Sequence, residues 1–510
     1  MGRSKTPSYV LTLELDATKH QEDILSKRLE IARQIYNSLT DKALKRYNLL
    51  IESKEYRQLK KELLPINKQY HATSNVELKK SLEKQRQALY KKLNDLYKKY
   101  GLSKNSLEKD VQPMYVHFID NIGSTEAQVI AARVWSKFDK LLNGEAEKVY
   151  FSKQGNYNSI ENKYNRSGLR YIPSSGCIIW GDKLTIPVII KNNDVYAQKA
   201  IQDRVKYCRL VKKYVNGKYK FYAQLILEGI PPIKVNKDGE IKRTIGLGDC
   251  GLDIGTRTIA ISSKTDVKLL ELCPKVNYLE RLIANLKRKL DRQRRANNPN
   301  NYNINGTIKK SIKLNWIKSK KYTKTQNELN DIQRKQAAIR KQSHEILSNE
   351  IISSGDRFLV ETMQYQALQK RSKKTTKNKK GRFNKKKRFG KSLANKAPAM
   401  LIEIIERKLN YDGLSILKIN TQKVKASQYN HFTNEYNKKD LKDRWNNDIN
   451  IQRDLYSSFL IMNVSNDLET IDKDKCSKTY DNFKTLHDKE INRLRELKNN
   501  GVKLISSMGI

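Results

Sequence analysis

The sequence predicts a multidomain protein that combines an α/β part with an α+β part. A chain of 510 residues is long enough for roughly three domains. Apolar residues recur at helical spacing through most of residues 17–144, and strand-like runs precede and follow this region. From about residue 241 onward, short strand patterns alternate with long helical patterns. We therefore expect a small β-barrel or curled sheet with an inserted helical region, followed by a mixed domain.

The composition is strongly basic. Lys and Arg total 102 against 54 Asp and Glu, which gives a formal net charge of +48. This charge is far larger than solubility requires, and it implies a large polyanionic partner such as nucleic acid. A basic membrane-surface protein is the alternative, but the sequence shows no signal peptide, lipidation motif or apolar run near membrane length. We expect a cytoplasmic protein that binds nucleic acid and no membrane.

The cysteines are few and scattered. No two of the five form a Cys-x-x-Cys pair. This usage fits a reducing cytosol and argues against a disulfide framework or a Cys-rich zinc site. The five are Cys177, Cys208, Cys250, Cys273 and Cys476.

The N-terminal region begins with a strand pattern and continues with helices. Residues 9–16 alternate between apolar and polar side chains, and helical spacing follows over residues 18–50, 56–64, 76–100 and 125–142. The third of these helices is dense in Lys. A single such helix is most simply a solvated amphipathic helix. Several of them in a chain of this charge also suit a nucleic-acid backbone.

Short strands and polar loops follow the helical region. Aromatic and basic residues interleave over 157–171, which suits phosphate contact and base stacking, although Tyr also favours strands. Residues 184–190 contain Pro187, so we predict an edge strand there. Asn216 and Gly217 separate two alternating runs and predict a two-residue hairpin turn.

Residues 245–262 are predicted to form a second β-hairpin, around which the rest of the chain is organised. Asp253 lies near the end of its first arm, between apolar neighbours that point to the opposite face of a strand. Gly255 permits a tight turn and the close approach of a ligand to the backbone. A carboxylate at such a strand end can hold a divalent cation. An isolated Asp-x-Gly more often caps a turn.

Two later carboxylates occupy comparable positions. Glu361 ends a short apolar strand predicted at 357–361, and Asp454 lies in the first turn of a helix predicted over 451–464. Two-metal phosphodiester cleavage needs acidic side chains on rigid elements, because they hold two Mg²⁺ ions about 4 Å apart. Spacing alone does not bring Asp253 to these two acids. Asp454 can equally be a first-turn acid favoured by the helix dipole.

A dense basic run separates the second and third acids. Thirteen of the twenty-two residues at 370–391 are Lys or Arg, and none is acidic. Self-repulsion predicts an extended, mobile segment, and its charge predicts phosphate contacts without sequence information. The candidate nucleic-acid-binding residues are Lys373, Lys374, Lys379, Lys380, Arg382, Lys385, Lys386, Lys387 and Arg388.

An ordered set of motifs resembles a known family. Gly-Leu-Asp-Ile-Gly-Thr at 251–256 is followed by Phe-Leu-Val-Glu-Thr-Met at 358–363 and by Lys-Lys-Lys-Arg-Phe-Gly-Lys-Ser at 385–392. Asn-Lys-Ala-Pro-Ala-Met at 395–400 and Gln-Arg-Asp-Leu-Tyr-Ser-Ser-Phe at 452–459 complete the set. In this order they resemble the TnpB family of transposon-encoded RNA-guided nucleases and the related compact type V CRISPR effectors.

The resemblance implies a fold, an activity and partners. Asp253, Glu361 and Asp454 become the metal-binding carboxylates of a RuvC-like endonuclease with an RNase H-like fold and two Mg²⁺ ions. A guide RNA would pair with target double-stranded DNA beside a short motif that the protein reads, with one or two copies of the protein on one RNA. The implied domains are a β-barrel wedge domain (1–16 and 145–240), a helical recognition domain (17–144), the nuclease domain (241–424 and 451–465), a loop in place of a zinc ribbon (425–450) and a C-terminal tail (466–510).

The sequence departs from the family pattern at two places. The family usually has a four-cysteine zinc ribbon between the second and third acidic motifs, but here no Cys follows His431 in residues 425–450. Four ligands for tetrahedral zinc are therefore lacking, and we predict no structural zinc. Packing of four aromatic residues would hold the loop instead. Tyr456 also stands where many relatives have a small polar residue. The four aromatic residues are Tyr429, Phe432, Tyr436 and Trp445.

Two other functions compete with the nuclease. The first is a non-cleaving RNA-guided DNA-binding protein such as a repressor, which the altered zinc-ribbon region favours and the presence of all three acids opposes. The second is an ATP-binding protein of the actin and sugar-kinase type, because Asp-x-Gly-Thr also begins a phosphate loop in that class. The net charge of +48 and the absence of a later paired-Gly motif argue against it.

Overall fold

The computed structural model describes residues 6–181, 184–236, 238–310, 312–372, 374–378, 381, 383–384, 386, 389–438, 440, 443–446 and 448–510. The chain divides into two compact units, Met1–Pro232 and Ile233–Ile510. A search of the described helices finds no segment with both the length and the apolar character needed to cross a membrane.

The first unit contains one antiparallel sheet and a group of helices. Its strands are β1 (Ser8–Leu15), β2 (Ser159–Glu161), β3 (Leu169–Ile172), β4 (Cys177–Trp180), β5 (Thr185–Ile189), β6 (Val205–Val215) and β7 (Lys218–Glu228). Its helices are α1 (Lys19–Glu52), α2 (Lys54–Ala72), α3 (Val76–Lys99), α4 (Lys104–Asp110), α5 (Gln112–His117), α6 (Ser124–Leu142) and α7 (Val195–Ala200).

The sheet of this unit is curled. Its strand order is β2-β6-β7-β1-β5-β4-β3, and β3 also packs against β6. Among the described residues, β2 and β3 remain hydrogen-bonded on one side only, so the sheet is not a closed barrel. Helices α1 to α6 lie between β1 and β2 in the chain, in agreement with the predicted insertion.

Local sequence signals explain the best-predicted elements of the first unit. Thr18 caps α1 by accepting a hydrogen bond from the Gln21 N–H, and the Gln21 side chain accepts one from the Thr18 N–H, which forms a capping box. Asn216 and Gly217 join β6 to β7 at φ values of +49° and +87°. Positive φ at both positions is what the predicted two-residue turn requires.

The prediction of an edge strand at 184–190 is wrong. β5 lies between β1 and β4 in the sheet. Its pairing with β1 involves only Val188 and Ile189. Pro187 takes part on that side through its carbonyl oxygen, which accepts the Asp16 N–H at 2.9 Å. An interior strand therefore accommodates the proline because the β1 ladder ends beside it.

The second unit contains a five-stranded mixed sheet, two short ladders and eight helices among its described residues. The strands are β8 (Asp249–Ile254), β9 (Thr258–Ser263), β10 (Val267–Glu271), β11 (Arg357–Glu361), β12 (Ile416–Ile419), β13 (Tyr429–Asn430), β14 (Glu435–Tyr436), β15 (Trp445–Asn446) and β16 (Ile451–Gln452). The helices are α8 (Asn277–Asn297), α9 (Lys320–Ile352), α10 (Tyr365–Gln369), α11 (Gly390–Lys396), α12 (Pro398–Asn410), α13 (Thr421–Val424), α14 (Arg453–Met462) and α15 (Lys473–Asn499).

The five-stranded sheet has the order β10-β9-β8-β11-β12. β9 runs antiparallel to both of its neighbours, as the predicted hairpin requires. β11 runs parallel to β8 and to β12. The carboxyl ends of β8, β11 and β12 therefore lie at one edge of the sheet.

Helix α14 packs directly on the sheet, against β8 and β9. A Cβ atom on Gly251 would overlap the backbone of Ser458 and Met462, so glycine permits this close approach. The buried hydroxyls of Ser262 and Ser458 are also hydrogen-bonded, at 2.7 Å. These contacts fix the helix that carries Asp454.

The C-terminal segment is folded into the same core. α15 begins at Lys473 and packs against β10. Phe483, Ile491 and Leu494 join the buried apolar cluster of α14. The segment 466–510, which the sequence suggests is a tail, is thus part of the packed unit.

Candidate functional site

Asp253 and Glu361 lie side by side at the ends of neighbouring parallel strands. The register pairs Leu252 of β8 with Val360 of β11, so the two acids are the next residue on each strand. Both side chains are partly accessible to solvent. The three residues that precede each acid on its strand are uncharged and buried, which leaves the two carboxylates as polar groups at the end of a rigid support.

Asp454 comes to the same edge from helix α14. The Gln452 side chain caps this helix by accepting the Leu455 N–H at 2.8 Å. Gln452 is itself held, because its side chain donates to the Met508 carbonyl at 3.1 Å and its N–H donates to Nε2 of His487 at 3.1 Å. The first turn of α14 is therefore fixed from both sides.

The three acids interact electrostatically. The pKa of Asp253 is raised well above its usual range, first by burial and then by the negative charges of Glu361 and Asp454, while Arg453 and Arg444 act in the opposite direction. Burial also raises the pKa of Glu361. The charged forms of Asp253 and Glu361 are therefore disfavoured in this cluster, and a bound cation would offset that cost.

Asp454 is turned toward two arginines. Its Oδ1 lies 3.2 Å from the Arg453 guanidinium, and its Oδ2 lies 3.5 Å from Nη1 of Arg444. Arg453 also donates to the carbonyl of Asp443 at 3.1 Å. Consistent with this orientation, no group of three or more His, Cys, Asp or Glu side chains in the described part of the chain is arranged to hold a metal ion.

The donor set nevertheless suits a hard divalent cation. Asp253 and Glu361 offer carboxylate oxygens from adjacent strands, which are the ligands that Mg²⁺ prefers. Burial raises the pKa of both carboxyl groups, and the charges of Glu361 and Asp454 raise that of Asp253 further; a bound cation would offset both effects. Asp454 could join them after a rotation away from Arg444.

Tyr365 borders the site and was not identified from the sequence. Its hydroxyl donates to the Ile254 carbonyl at 3.3 Å. Its pKa is raised by burial and then by the charges of Asp253 and Glu361. The available signal was an aromatic residue four positions after Glu361, which is too common to single out. Arg444 was also missed as a partner of Asp454, because ion pairs across a loop have no sequence spacing.

Only two of the nine candidate lysines and arginines fall within the described residues. Lys374 and Lys386 are exposed. Two contacts among the described residues depart from the predicted extended run: the Ser372 N–H donates to the Lys386 carbonyl at 2.8 Å, and Lys377 forms a β-bridge with Phe383. Lys373, Lys379, Lys380, Arg382, Lys385, Lys387 and Arg388 lie outside the described residues.

A buried lysine follows the basic run. Lys396 is 1% exposed, and its Nζ lies 2.8 Å from both Oε1 of Glu271 and Oδ1 of Asn277. Its carbonyl lies 2.8 Å from Nε2 of the buried His344. Lys396 therefore anchors the C-terminal end of the basic run to β10, through Glu271, and to α8, through Asn277.

The loop at 425–450 is held by aromatic contacts, of which the sequence identified a part. The rings of Tyr429 and Tyr436 lie 4.9 Å apart across a short ladder. Trp445 donates to the Gly509 carbonyl at 2.8 Å. Phe432 packs edge-on against Tyr480 at 4.8 Å, a partner that the sequence analysis did not include.

His431 and Tyr456 connect this loop to α14. The Tyr456 hydroxyl accepts the His431 N–H at 3.2 Å and lies 2.6 Å from His431 Nδ1. Burial, together with the charge of Lys473, lowers the pKa of His431 to about 4. The unusual Tyr456 thus has a partner in the loop where the family has zinc.

Comparison with known proteins gives little beyond this geometry. No protein-family model matches the sequence, and no curated protein matches it. One similar solved structure is the "Cryo-EM structure of the Cas12f1-sgRNA-target DNA complex", with 11% identity, a TM-score of 0.41, and coverage of 90% of this chain and 99% of that chain. Another is the "Cryo-EM structure of CRISPR-Cas12f Ternary Complex", with 12% identity, a TM-score of 0.24, and coverage of 80% and 74%. Likeness at this level is too slight to assign a fold or an activity.

Proposed function

We propose that this protein is an RNA-guided, Mg²⁺-dependent DNA endonuclease. The observation that carries the proposal is the approach of Asp253, Glu361 and Asp454 to one edge of the five-stranded sheet. These acids are separated by about 100 residues each in the chain, yet their charges interact. Convergence of distant carboxylates on rigid elements is typical of sites that hydrolyse phosphodiesters with metal ions.

The topology of the sheet supports a RuvC-like, RNase H-type domain. Counted from β8, the spatial order is 3-2-1-4-5, with the second strand antiparallel to its neighbours and the last two parallel to the first. That arrangement accords with the RNase H-like fold implied by the sequence motifs. Asp253 on the first strand and Glu361 on the fourth are then neighbours because these strands pair.

Asp253 and Glu361 would hold Mg²⁺ from the strand ends, and Asp454 would complete the ligand set from α14. When bound, the metal ions would lower the pKa of an attacking water and stabilise the leaving oxygen. Arg444 and Arg453 neutralise Asp454 in the metal-free protein. Released from that carboxylate, they would be available for the phosphates of the strand to be cut.

The proposed partners follow from charge and from the sequence motifs. A net charge of +48 suits a guide RNA together with target double-stranded DNA. The basic run at 370–391 would contact the phosphates of this assembly. The first unit would supply the wedge and recognition domains, and the protein would act in the prokaryotic cytosol without a structural zinc.

The bound RNA tests guidance. The protein is purified from cells that carry its native flanking DNA, and the co-purifying RNA is sequenced. We expect one abundant structured RNA with a variable segment, because a guide must combine a protein-binding part with a pairing part. Fragmented bulk RNA would contradict the proposal and leave unguided binding as the account of the charge.

A non-cleaving RNA-guided repressor remains the competing function. It would co-purify with the same kind of RNA and bind the matching DNA. It would leave that DNA intact in Mg²⁺. Cleavage of the matching DNA therefore separates the two functions.

A further inference from the structure

The turn between α8 and α9 carries an apolar side chain that the proposed cutting site does not use. Ile304 is fully exposed, at 110% of its reference accessible surface. Ile312 and Ile317 in the same turn are also exposed. We call residues 298–310 and 312–319 the α8–α9 loop.

Asparagine side chains hold the base of the α8–α9 loop in one conformation. Asn298 is buried and donates to the carbonyls of Arg294 and Ile317, both at 2.9 Å, and it accepts the Ile317 N–H at 2.7 Å. The Asn301 side chain donates to the Asn315 carbonyl at 2.6 Å. Both ends of the loop are therefore joined across its width.

The tip of the loop is also fixed by hydrogen bonds. The Asn303 N–H donates to the Thr307 carbonyl at 2.8 Å. The Asn305 side chain accepts the Thr307 N–H at 3.0 Å and its hydroxyl at 2.6 Å. Ile304 lies between these two asparagines, so its side chain is presented to solvent by a preorganised turn.

The aromatic rings of the loop are already engaged. Tyr302 and Trp316 meet edge to face at 5.8 Å. Arg294 lies 5.3 Å from the Trp316 ring and donates to the Tyr302 hydroxyl at 2.9 Å, while Arg295 lies 5.3 Å from the Tyr302 ring. A platform for stacking unpaired bases needs free ring faces. The exposed isoleucines are thus the free apolar groups of the loop, and Ile304 is more exposed than Ile312 and Ile317.

The surroundings of Ile304 are basic. Residues 298–321 contain six Lys and no Asp or Glu. Within the described residues, Lys309, Lys310 and Lys313 form no ion pair. An exposed apolar group in a loop that also carries unneutralised lysines complements a polyanion with an apolar interior, which describes a stacked nucleic-acid duplex.

We propose that the α8–α9 loop binds a nucleic-acid duplex and inserts Ile304 at a base step. Branched apolar side chains act as wedges in duplexes, where they partly unstack neighbouring bases. Lys309, Lys310 and Lys313 contact the flanking phosphates. The inference takes from the proposed function only that nucleic acid is the partner. It does not depend on the carboxylate site, because the loop is separate from that site.

Fluorescence of a base analogue tests the wedge in the full-length protein. A short duplex carries 2-aminopurine at its centre, in one DNA arm and one RNA arm, and a single strand of the same sequence is a third arm. We expect the wild-type protein to raise the fluorescence of one duplex or both by unstacking. Ile304→Ser should abolish the rise and weaken duplex binding by about tenfold, the equivalent of losing one buried apolar side chain.

A matched control and a second variant keep the test decisive. Ile346 is an exposed isoleucine on α9, so Ile346→Ser makes the same chemical change outside the loop and should behave as wild type. Replacing Lys309, Lys310 and Lys313 with Gln should lower the salt dependence of duplex binding by about one unit of slope per lysine.

Equal fluorescence with Ile304→Ser, or an equal loss on the single strand, would overturn the wedge. A wild-type protein that binds none of the three probes would also overturn the wedge, whereas the proposed function is tested separately by the co-purifying RNA.

Discussion

The charged form of Asp253 is costly because the side chain is largely desolvated and lies beside a second carboxylate. The pKa values of both groups are raised, by burial and, for Asp253, by its acidic neighbours. Removing one charge should therefore relieve repulsion. Binding a cation between the two should relieve it as well.

Asp253→Asn separates these effects. We expect the variant to be more stable than wild type without metal and to gain nothing from Mg²⁺. Wild type should gain about 2.7 kcal/mol when Mg²⁺ is at a hundred times its dissociation constant. Urea unfolding with and without Mg²⁺ measures both quantities. Equal Mg²⁺ stabilisation of the two proteins would show that the ion binds elsewhere.

His431 predicts a pH dependence of stability. Its pKa is lowered to about 4 in the folded protein from 6.5. Below pH 6.5 the unfolded chain protonates His431, whereas the folded chain does so only below about pH 4. The unfolded state therefore binds more protons between these two pH values, and the free energy of unfolding decreases as the pH falls through this range. The loss amounts to about 2 kcal/mol at about pH 5.

The measurement compares wild type with His431→Phe by urea unfolding at about pH 7.5 and about pH 5. Wild type should lose about 2 kcal/mol more than the variant over this interval. His20→Phe is the control, because His20 is exposed. If wild type and His431→Phe lose the same stability, the His431–Tyr456 contact does not hold the imidazole neutral.

At the scale of elements, the position of α14 on the sheet decides whether Asp454 reaches the other acids. Gly251 is the point of closest approach, and the atoms that a Cβ would meet belong to the backbone of α14. Backbone cannot rotate aside as a flexible side chain can. The helix would have to move away from the strand.

Gly251→Ala should therefore destabilise the protein by about 3 kcal/mol or more and reduce cutting by moving Asp454. The free energy of unfolding in urea measures the first effect. Gly255→Ala is the matched control, because its Cβ would meet only ordinary contacts near Thr258, and it should cost less than about 1 kcal/mol. A small effect at Gly251 would mean that α14 is not tightly packed on β8.

The sequence predicted elements whose signals are local. The turn at Asn216 and Gly217, the hairpin around Asp253 and the strand ending at Glu361 each follow from a few adjacent residues. The interior position of β5 could not be predicted. Pro187 shows only that one N–H is lacking at this position, and it does not show which strands pair with β5. The Ser372–Lys386 hydrogen bond and the Lys377–Phe383 bridge were not predicted, because the dense positive charge of residues 370–391 indicated an extended segment.

The site was predicted only in part for the same physical reason. The motifs identified three acids, but the Arg444–Asp454 ion pair and the Tyr456–His431 hydrogen bond join parts of the chain that no spacing rule connects. The two departures from the family pattern, a loop without cysteines and a tyrosine on α14, occur together. Their joint occurrence was the signal in the sequence for the Tyr456–His431 hydrogen bond.

At the scale of the whole molecule, the net charge of +48 makes affinity for nucleic acid depend on salt. Removing one lysine that binds a phosphate should lower the slope of log affinity against log salt by about 0.9 for duplex DNA. Replacing Lys374, Lys377 and Lys386 with Gln should therefore reduce the slope by up to about three units. Fluorescence anisotropy over a salt series measures the slope.

The control for this prediction changes the same charge elsewhere. Lys478, Lys489 and Lys498 on α15 are exposed, and their replacement with Gln removes three charges outside the basic run. If the 370–391 variant keeps the wild-type slope, the basic run is a solvated segment that does not bind phosphates.

Cleavage by wild type and Asp253→Asn tests the central claim most directly. The substrate is a duplex whose sequence matches the variable segment of the co-purified RNA, with Mg²⁺ present. We predict that wild type cuts it, and that Asp253→Asn binds it with similar affinity but cuts it more than about a hundredfold more slowly, a larger loss than that of an outer-shell partner. Equal cutting by the two proteins, or binding without cutting by wild type, would contradict the account.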